Sequence, residues 1–331
     1  MSTVLPSLHD GVRLAPSAAV ALHADARRIV IVGAGGWIGR ALLAGLHDAL
    51  GDAAGERIVC FGSAARQIDI GNRRTVPQRA LGNLARLPHQ PSLLFHLAFL
   101  TKDKVGAMDA DDYTRTNRAL SHQVLDALEP IGADRVFLAS SGAAAFADDP
   151  AAAADLRLYG ALKREDEKLF SAWATAASGR RALIMRIHSL SGAFINKHDT
   201  YALASLVLDA LAGRPIAVTA SMRVERSYVA VRELLSLALA ALLASEGPGV
   251  RQLDSGGEAL ELGDLAQQIA AELGGWVKRP PVTSESANTY VGNAQEYNEL
   301  LRQFGIDPVP LETQIRETAA YLASHARSTA P

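Results

Sequence analysis

Tyr159 and Lys163 stand four residues apart in the segment Leu158-Tyr159-Gly160-Ala161-Leu162-Lys163. On a helix that spacing puts phenol and ammonium on one face, where both can address the same ligand. A cation near a phenol stabilises the phenolate, which makes Tyr159 a usable acid and base near neutrality. Upstream, Val136-Phe137-Leu138-Ala139-Ser140-Ser141-Gly142 is an apolar run that ends in two hydroxyls. A strand delivering Ser141 to the carboxyl edge of a sheet would let its hydroxyl bond a substrate oxygen and steady developing charge. The chemistry these three side chains could share is proton transfer at a carbonyl. Tyr-x-x-x-Lys also occurs on ordinary amphipathic helices; its place just after Ser141 selects the chemical reading.

Positioning such a trio requires strands alternating with helices. Residues 28–32 read Arg-Ile-Val-Ile-Val, a β-branched run suited to a strand buried on both faces. Residues 57–61, 92–98, 134–140 and 181–187 are further strand candidates, and helical spacing marks residues 38–50, 112–128 and 156–177. This alternation predicts an α/β fold, a Rossmann-like doubly wound parallel sheet with helices on both faces. Beyond residue 187 the rhythm loosens into helices at 201–211, 233–243, 262–273, 294–304 and 311–324, with a strand at 226–231. We read residues 27–187 as an NAD(P)-binding Rossmann domain. Residues 188–331 read mainly as a smaller C-terminal substrate-binding lobe, with segments returning to the sheet. Residues 1–26 read as a disordered or loosely docked N-terminal extension.

Between the first strand and helix lies Gly33-Ala34-Gly35-Gly36-Trp37-Ile38-Gly39. Glycine is needed where backbone approaches a pyrophosphate, and the helix N-terminus then offers free N–H groups and partial positive charge. In strand–turn–helix context this reads as a dinucleotide site; the alternative is a tight structural turn. An NAD site usually carries a carboxylate at the end of the second strand to bind the adenosine ribose. Here that strand runs into Phe61-Gly62-Ser63-Ala64-Ala65-Arg66 with no acid. Ser63 can donate to a 2′-phosphate and Arg66 can neutralise one, so NADP(H) is favoured over NAD(H).

The chain has 331 residues, 49% apolar and 21% charged, with a formal net charge of -2. Near-neutrality gives no electrostatic basis for nucleic acid or anionic membrane as a partner. Cys60 is the one cysteine, which rules out an intramolecular disulfide and a cysteine-based zinc site, and no metal is expected. No stretch approaches the roughly 20 apolar residues of a membrane span. The alanine-rich stretch 14–22 lacks the basic lead-in of a signal peptide. The expected location is the cytoplasm.

Gly33, Gly36 and Gly39 give Gly-x-x-Gly-x-x-Gly. With Phe95-His96-Leu97-Ala98, the Ser141/Tyr159/Lys163 set, Arg186-Ile187-His188-Ser189-Leu190-Ser191-Gly192 and Arg226-Ser227-Tyr228-Val229-Ala230-Val231, the chain resembles the extended short-chain dehydrogenase/reductases. This is the NAD(P)-dependent epimerase/dehydratase type, similar to UDP-galactose 4-epimerase and the deoxysugar ketoreductases. The matches run in the expected order from residue 28 to 322. The resemblance implies Ser141, Tyr159 and Lys163 as catalytic residues, with Lys163 also holding the nicotinamide ribose. It implies that Leu97, Ala98 and Phe99 pass beside the cofactor, that Asn117 braces the site, and that Ile187 and His188 flank the nicotinamide. It places Ser140, Ser189 and Arg226 toward the substrate, with Arg226 gripping a diphosphate. His96 reads as a buried structural histidine.

Two departures bear on the substrate. Ser189 stands where the family usually has asparagine, and Ala145 where it commonly has tyrosine. The third-strand region is also unusual. Asp69-Ile70 imitates an adenine-contacting pair, yet Gly71-Asn72 after it looks like a hairpin turn, so the acid reads equally as a solvated hairpin edge.

The leading expectation is NADPH-dependent reduction of a nucleotide-linked 4-keto-deoxysugar, with Tyr159 as general acid. The alternatives are a sugar-nucleotide epimerase or dehydratase that retains its cofactor, and a catalytically silent NADP-sensing protein. The resemblance also implies a homodimer through the two helices flanking the active-site strand. Leu120, Val124, Leu162, Leu169 and Trp173 are its candidate seam, unless they face the chain's own sheet.

Overall fold

Val30 and Val32 point to one side of the central sheet and Ile29 and Ile31 to the other, and each side has its own hydrophobic core. The strand period of two divides the β-branched run of residues 28–32 between two layers of helices. The computed structural model describes residues 5–247 and 249–328. Its first seven strands are β1 (Arg28–Val32), β2 (Ile58–Gly62), β3 (Arg66–Asp69), β4 (Thr75–Ala80), β5 (Ser92–His96), β6 (Ala133–Ser141) and β7 (Arg181–Ile187). The chain continues through β8 (Ser189–Ser191), β9 (Ile216–Ala217), β10 (Arg223–Ala230), β11 (Val250–Asp254), β12 (Ala259–Glu261), β13 (Val277–Lys278) and β14 (Ala287–Tyr290). Helices α1 (Pro16–Ala24), α2 (Trp37–Leu50), α3 (Ala54–Arg57), α4 (Ala110–Leu128) and α5 (Ala154–Thr175) belong to the first half. Helices α6 (Ala202–Leu211), α7 (Val231–Leu243), α8 (Leu262–Leu273), α9 (Ala294–Gln303) and α10 (Leu311–Ser328) belong to the second.

The main sheet has eight strands in the order β11-β7-β6-β5-β1-β2-β4-β3. Every neighbouring pair is parallel except β3 with β4. Helices α2 and α7 cover one face, and α4 and α5 the other. This is the doubly wound α/β sheet expected from the alternation of strands and helices. Its order reverses around β1 and β5, which opens a crevice at their carboxyl ends. The glycine turn, the β5 exit and the end of β6 all meet there.

The second half builds a small sheet in which β10 pairs β12, β14 and β8. It also sends α7 and β11 back to the main sheet. Among the described residues, no helix is long and apolar enough to cross a membrane.

The structure bears on three expectations. Residues 12–24 of the N-terminal segment are docked: α1 packs on α7, and Val12, Leu14, Ala18 and Leu22 are buried in the core. The Leu22 carbonyl also accepts from Arg57 (2.9 Å), so this segment extends the layer over the sheet. Second, the third parallel strand is β4, a segment with alternating burial around Pro77 that does not read as a strand in sequence. The hairpin at Gly71-Asn72 does form, closed by Ile70 N–H to Arg74 O (3.0 Å). Asp69 is therefore the exposed end of an antiparallel edge strand, its carboxylate accepting from Gly71 N–H (2.7 Å). Third, Val124, Leu162 and Trp173 are buried in the chain's own core, and Leu120 and Leu169 pack against it. The outer sides of α4 and α5 are instead joined by a bidentate Arg118–Glu165 pair. Val124, Leu162 and Trp173 are thus spent on internal packing, while Leu120 and Leu169 stay partly exposed.

Candidate active site

The glycine turn is a side-chain-free cradle. Gly33 has φ +92°, and a methyl placed on it would lie 2.6 Å from Ala98 N and 2.7 Å from the Leu97 carbonyl carbon. A methyl on Gly39 would lie 2.5 Å from Gly33 O. The backbone of Leu97 and Ala98 therefore presses directly against the turn, held by Leu97 N–H to Val32 O (2.8 Å). Gly36 caps α2 with its backbone alone, so the first N–H groups of the helix, from Trp37 and Ile38 onward, are open to an anion. These residues fit the pyrophosphate of a dinucleotide. The Trp37 ring itself turns away: its indole N–H donates to Ala193 O (2.8 Å) and its face meets Tyr201 edge-on. Trp37 thus ties the turn to the second half of the chain.

At the end of β2 the structure places Ser63 and Arg66 at the surface beside the turn. The Arg66 guanidinium lies over Gly35, with Nη2 2.0 Å from where a methyl on that glycine would stand. A side chain at Gly35 would have to push this exposed guanidinium aside.

Ser141, Tyr159 and Lys163, the expected catalytic trio, lie near one another. Ser141 ends β6; its Oγ lies 3.0 Å from the Tyr290 hydroxyl and accepts from Ala143 N–H (3.2 Å). The Ser141 hydroxyl lies near enough to lower the Tyr159 pKa, but burial outweighs it and holds the phenol above its ordinary value. The free chain therefore carries Tyr159 as a neutral phenol, ready to donate. Lys163 is buried on the same face of α5, its ammonium donating to Ala139 O (2.8 Å) and sitting 3.7 Å from the centroid of the Phe99 ring. Phe99 also meets Tyr159 edge-on at 5.7 Å, so one ring bridges phenol and ammonium. Burial pulls the Lys163 ammonium down to about 8.

The remaining expected residues divide. Ser140 does not face the site: its hydroxyl donates to Glu167 (2.6 Å), because adjacent residues of a strand point to opposite faces. Glu167 also accepts a bidentate pair from Arg186 (2.8 and 2.7 Å) and a bond from Gln252 (3.2 Å). This buried hub pins α5 to β6, β7 and β11. Asn117 is buried and accepts from Leu100 N–H (2.7 Å), so it braces the loop after β5. His96 is buried, and desolvation lowers it to about 3, which keeps it neutral and structural. Ile187 closes β7 beside Ser141.

His188 is pressed between two glycines: methyls on Gly142 and Gly292 would lie 2.4 and 2.8 Å from its ring. Its ring is 4.9 Å from that of Tyr290. Ser189 pairs with Tyr228 at the start of β8. Arg226 is tied to the carbonyls of Glu225 and Asn288 (2.7 and 2.8 Å) and to the Asn288 side chain (3.0 Å). Its guanidinium stands 6.0 Å from the Tyr290 ring centroid, so its charge faces the site from the second half of the chain.

Tyr290 is the residue the sequence did not reveal. It sits on β14, which reaches the site only by pairing with β10 more than 60 residues earlier in the chain. Its ring lies between Phe146 and His188 and its hydroxyl meets Ser141. An isolated tyrosine in a polar segment carries no local signal of this. Among the described residues no cluster of metal-ligating side chains is present.

The family model described as NAD dependent epimerase/dehydratase matches residues 29–253. No curated protein matches the chain. Among solved structures, MoeE5 in complex with UDP-glucose and NAD is 18% identical, with a TM-score of 0.68 over 90% of this chain and 99% of that one. UDP-N-acetylglucosamine 4-epimerase from Methanobrevibacter ruminantium M1, in complex with UDP-N-acetylmuramic acid, is 16% identical, with a TM-score of 0.69 over 90% and 99%. The NAD-dependent NDP-hexosamine 5,6-dehydratase TunA is 19% identical, with a TM-score of 0.66 over 90% and 98%. At these identities the likeness is one of fold.

Proposed function

The chain belongs to the NAD dependent epimerase/dehydratase family, and from that premise we propose that it reduces a keto group on a nucleotide-linked sugar with NADPH, Tyr159 acting as general acid. The observation that carries the choice of cofactor is the end of β2, where no acid stands and the Arg66 guanidinium lies against the glycine turn. A carboxylate there would repel a 2′-phosphate, whereas a guanidinium pairs with one.

When bound, the nicotinamide supplies the hydride. Ser141 lies near Tyr159, so their hydroxyls can hold a single carbonyl oxygen between them. Tyr159, neutral at pH 7, gives its proton to that oxygen as negative charge develops there. Lys163, ionised at pH 7 behind Phe99, stabilises the phenolate left behind. Arg226 supplies positive charge for a substrate diphosphate on the opposite wall. The sugar nucleotides bound in MoeE5 and in the 4-epimerase support this substrate class.

A second reading keeps the same residues but returns the hydride in each cycle, as an epimerase or dehydratase. The NAD held by MoeE5 favours it. Cofactor released from freshly purified protein and identified by mass separates the two. Reduction predicts exchangeable NADP and one NADPH consumed per product formed from a 4-keto sugar nucleotide. Retained NAD, with no net NADPH consumption, overturns it. Tyr159→Phe is expected to lower turnover by roughly a hundredfold or more.

A further inference from the structure

The end of β2 lacks an acid, yet it does not lack a polar group. Gly62 stands where an NAD site would carry its carboxylate side chain, and a methyl placed on it would lie 2.4 Å from the carboxamide of Gln78. Gln78 comes from β4, the neighbouring parallel strand, in register with Cys60. It reaches over the bare backbone of Gly62 and fills the volume that a Gly62 side chain would take. The residue is 4% exposed. Its Nε2 donates to Ala64 O (2.8 Å), which fixes the amide's orientation, since only nitrogen can donate to a carbonyl. Its Oε1 is buried and has no hydrogen-bond partner among the described residues. That oxygen lies 3.3 Å from where a methyl on Gly35 would stand, and the Arg66 Nη2 lies 2.0 Å from the same point. A fixed acceptor and a guanidinium thus share one corner of the dinucleotide cradle.

A buried acceptor without a donor is rare in a folded protein and calls for a reason. The geometry points to Gln78 as the residue that receives the adenosine ribose, its Oε1 accepting a ribose hydroxyl while Arg66 takes the 2′-phosphate. This rests on the NADP reading above and adds its specificity determinant. A carboxylate in this position binds ribose hydroxyls but repels a 2′-phosphate. The carboxamide offers the same acceptor without the charge, so hydroxyl recognition and phosphate tolerance coexist. The determinant has moved from the second parallel strand to the third, which leaves it invisible to a rule that looks for an acid after β2.

The test is equilibrium titration of the purified chain with NADPH, NADH, 2′,5′-ADP and 5′-AMP, read by calorimetry and by thermal shift. Gln78→Glu keeps the shape and adds a charge beside Arg66. It should raise the NADPH dissociation constant about tenfold or more while NADH changes little, since like-charge contacts of this kind cost at least one decade in affinity. Gln78→Met keeps the volume and removes the acceptor. It should weaken NADPH and NADH by similar factors, preserving their ratio. The two nucleotide fragments should follow the same pattern, placing the effect at the adenosine end. If Gln78→Glu melts like wild type yet leaves the NADPH-to-NADH ratio within about twofold, the assignment is overturned. If the wild-type chain itself prefers NADH, the NADP reading fails, and an unchanged NADH affinity in Gln78→Met would then overturn the ribose contact separately.

Discussion

The hydroxyls of Ser141 and Tyr290 lie 3.0 Å apart, joining the end of β6 to a strand of the small sheet. The site is therefore closed by both halves of the chain. Ser141 also accepts from Ala143 N–H, so Tyr290 helps fix which way the serine proton points.

Tyr290→Phe keeps the ring between Phe146 and His188 and removes only the hydroxyl. The loss of one such hydrogen bond is worth about 1 kcal/mol, so kcat/KM for the sugar substrate should fall by roughly fivefold. Cofactor affinity should not change. Wild-type kcat/KM in this variant would show that Ser141 needs no second hydroxyl.

The pH profile follows from Lys163. Burial lowers its ammonium to about 8, so the cation is present at pH 7 and is lost as pH rises through that value. Phenolate left on Tyr159 is then no longer stabilised, and kcat/KM for reduction should decline above about pH 8. Lys163→Met should have low activity and no inflection there. A rate that stays flat to pH 9.5, taken at subsaturating cofactor, contradicts this role.

Glu167 is buried and serves three donors, Ser140, Arg186 and Gln252. Glu167→Gln cannot accept the bidentate guanidinium and leaves charge on Arg186 without its partner. Breaking a buried pair in this way costs about 3 kcal/mol, which urea unfolding would read as an earlier midpoint. A change below about 1 kcal/mol would mean that the hub relaxes without loss.

Deleting residues 1–26 uncovers the α7 face beneath α1. Val12, Leu14 and Leu22 are each buried, and full burial of such a side chain contributes about 1.5–3 kcal/mol. Even discounted for a compact unfolded state, the truncated chain should melt many degrees lower than the full one. An unchanged melting temperature would show that the docked helix contributes nothing to the core.

Much of this molecule is written locally. The continuous apolar runs of β1, β5 and β6 can satisfy their chemistry only between two layers of helices, so the doubly wound sheet follows from their composition. Gly33 and Gly39 tolerate no side chain where they stand, and the four-residue step from Tyr159 to Lys163 is a property of the helix alone. Those features survive any reasonable packing, and the bare glycine turn and the shared face of Tyr159 and Lys163 could be placed from them.

What the tertiary structure decided is everything that depends on pairing at a distance. The alternation of a strand says that Ser140 and Ser141 face opposite ways, but only the position of Glu167 on α5 shows which one is taken into the core. Thr75–Ala80 carries a proline and polar residues, and it becomes a parallel strand because β2 and β3 flank it on both sides. Gln78 acquires meaning only when that pairing lays it across Gly62, and Tyr290 only when β14 pairs with β10. In each case the free energy comes from contacts between segments far apart in the chain, which no local pattern records.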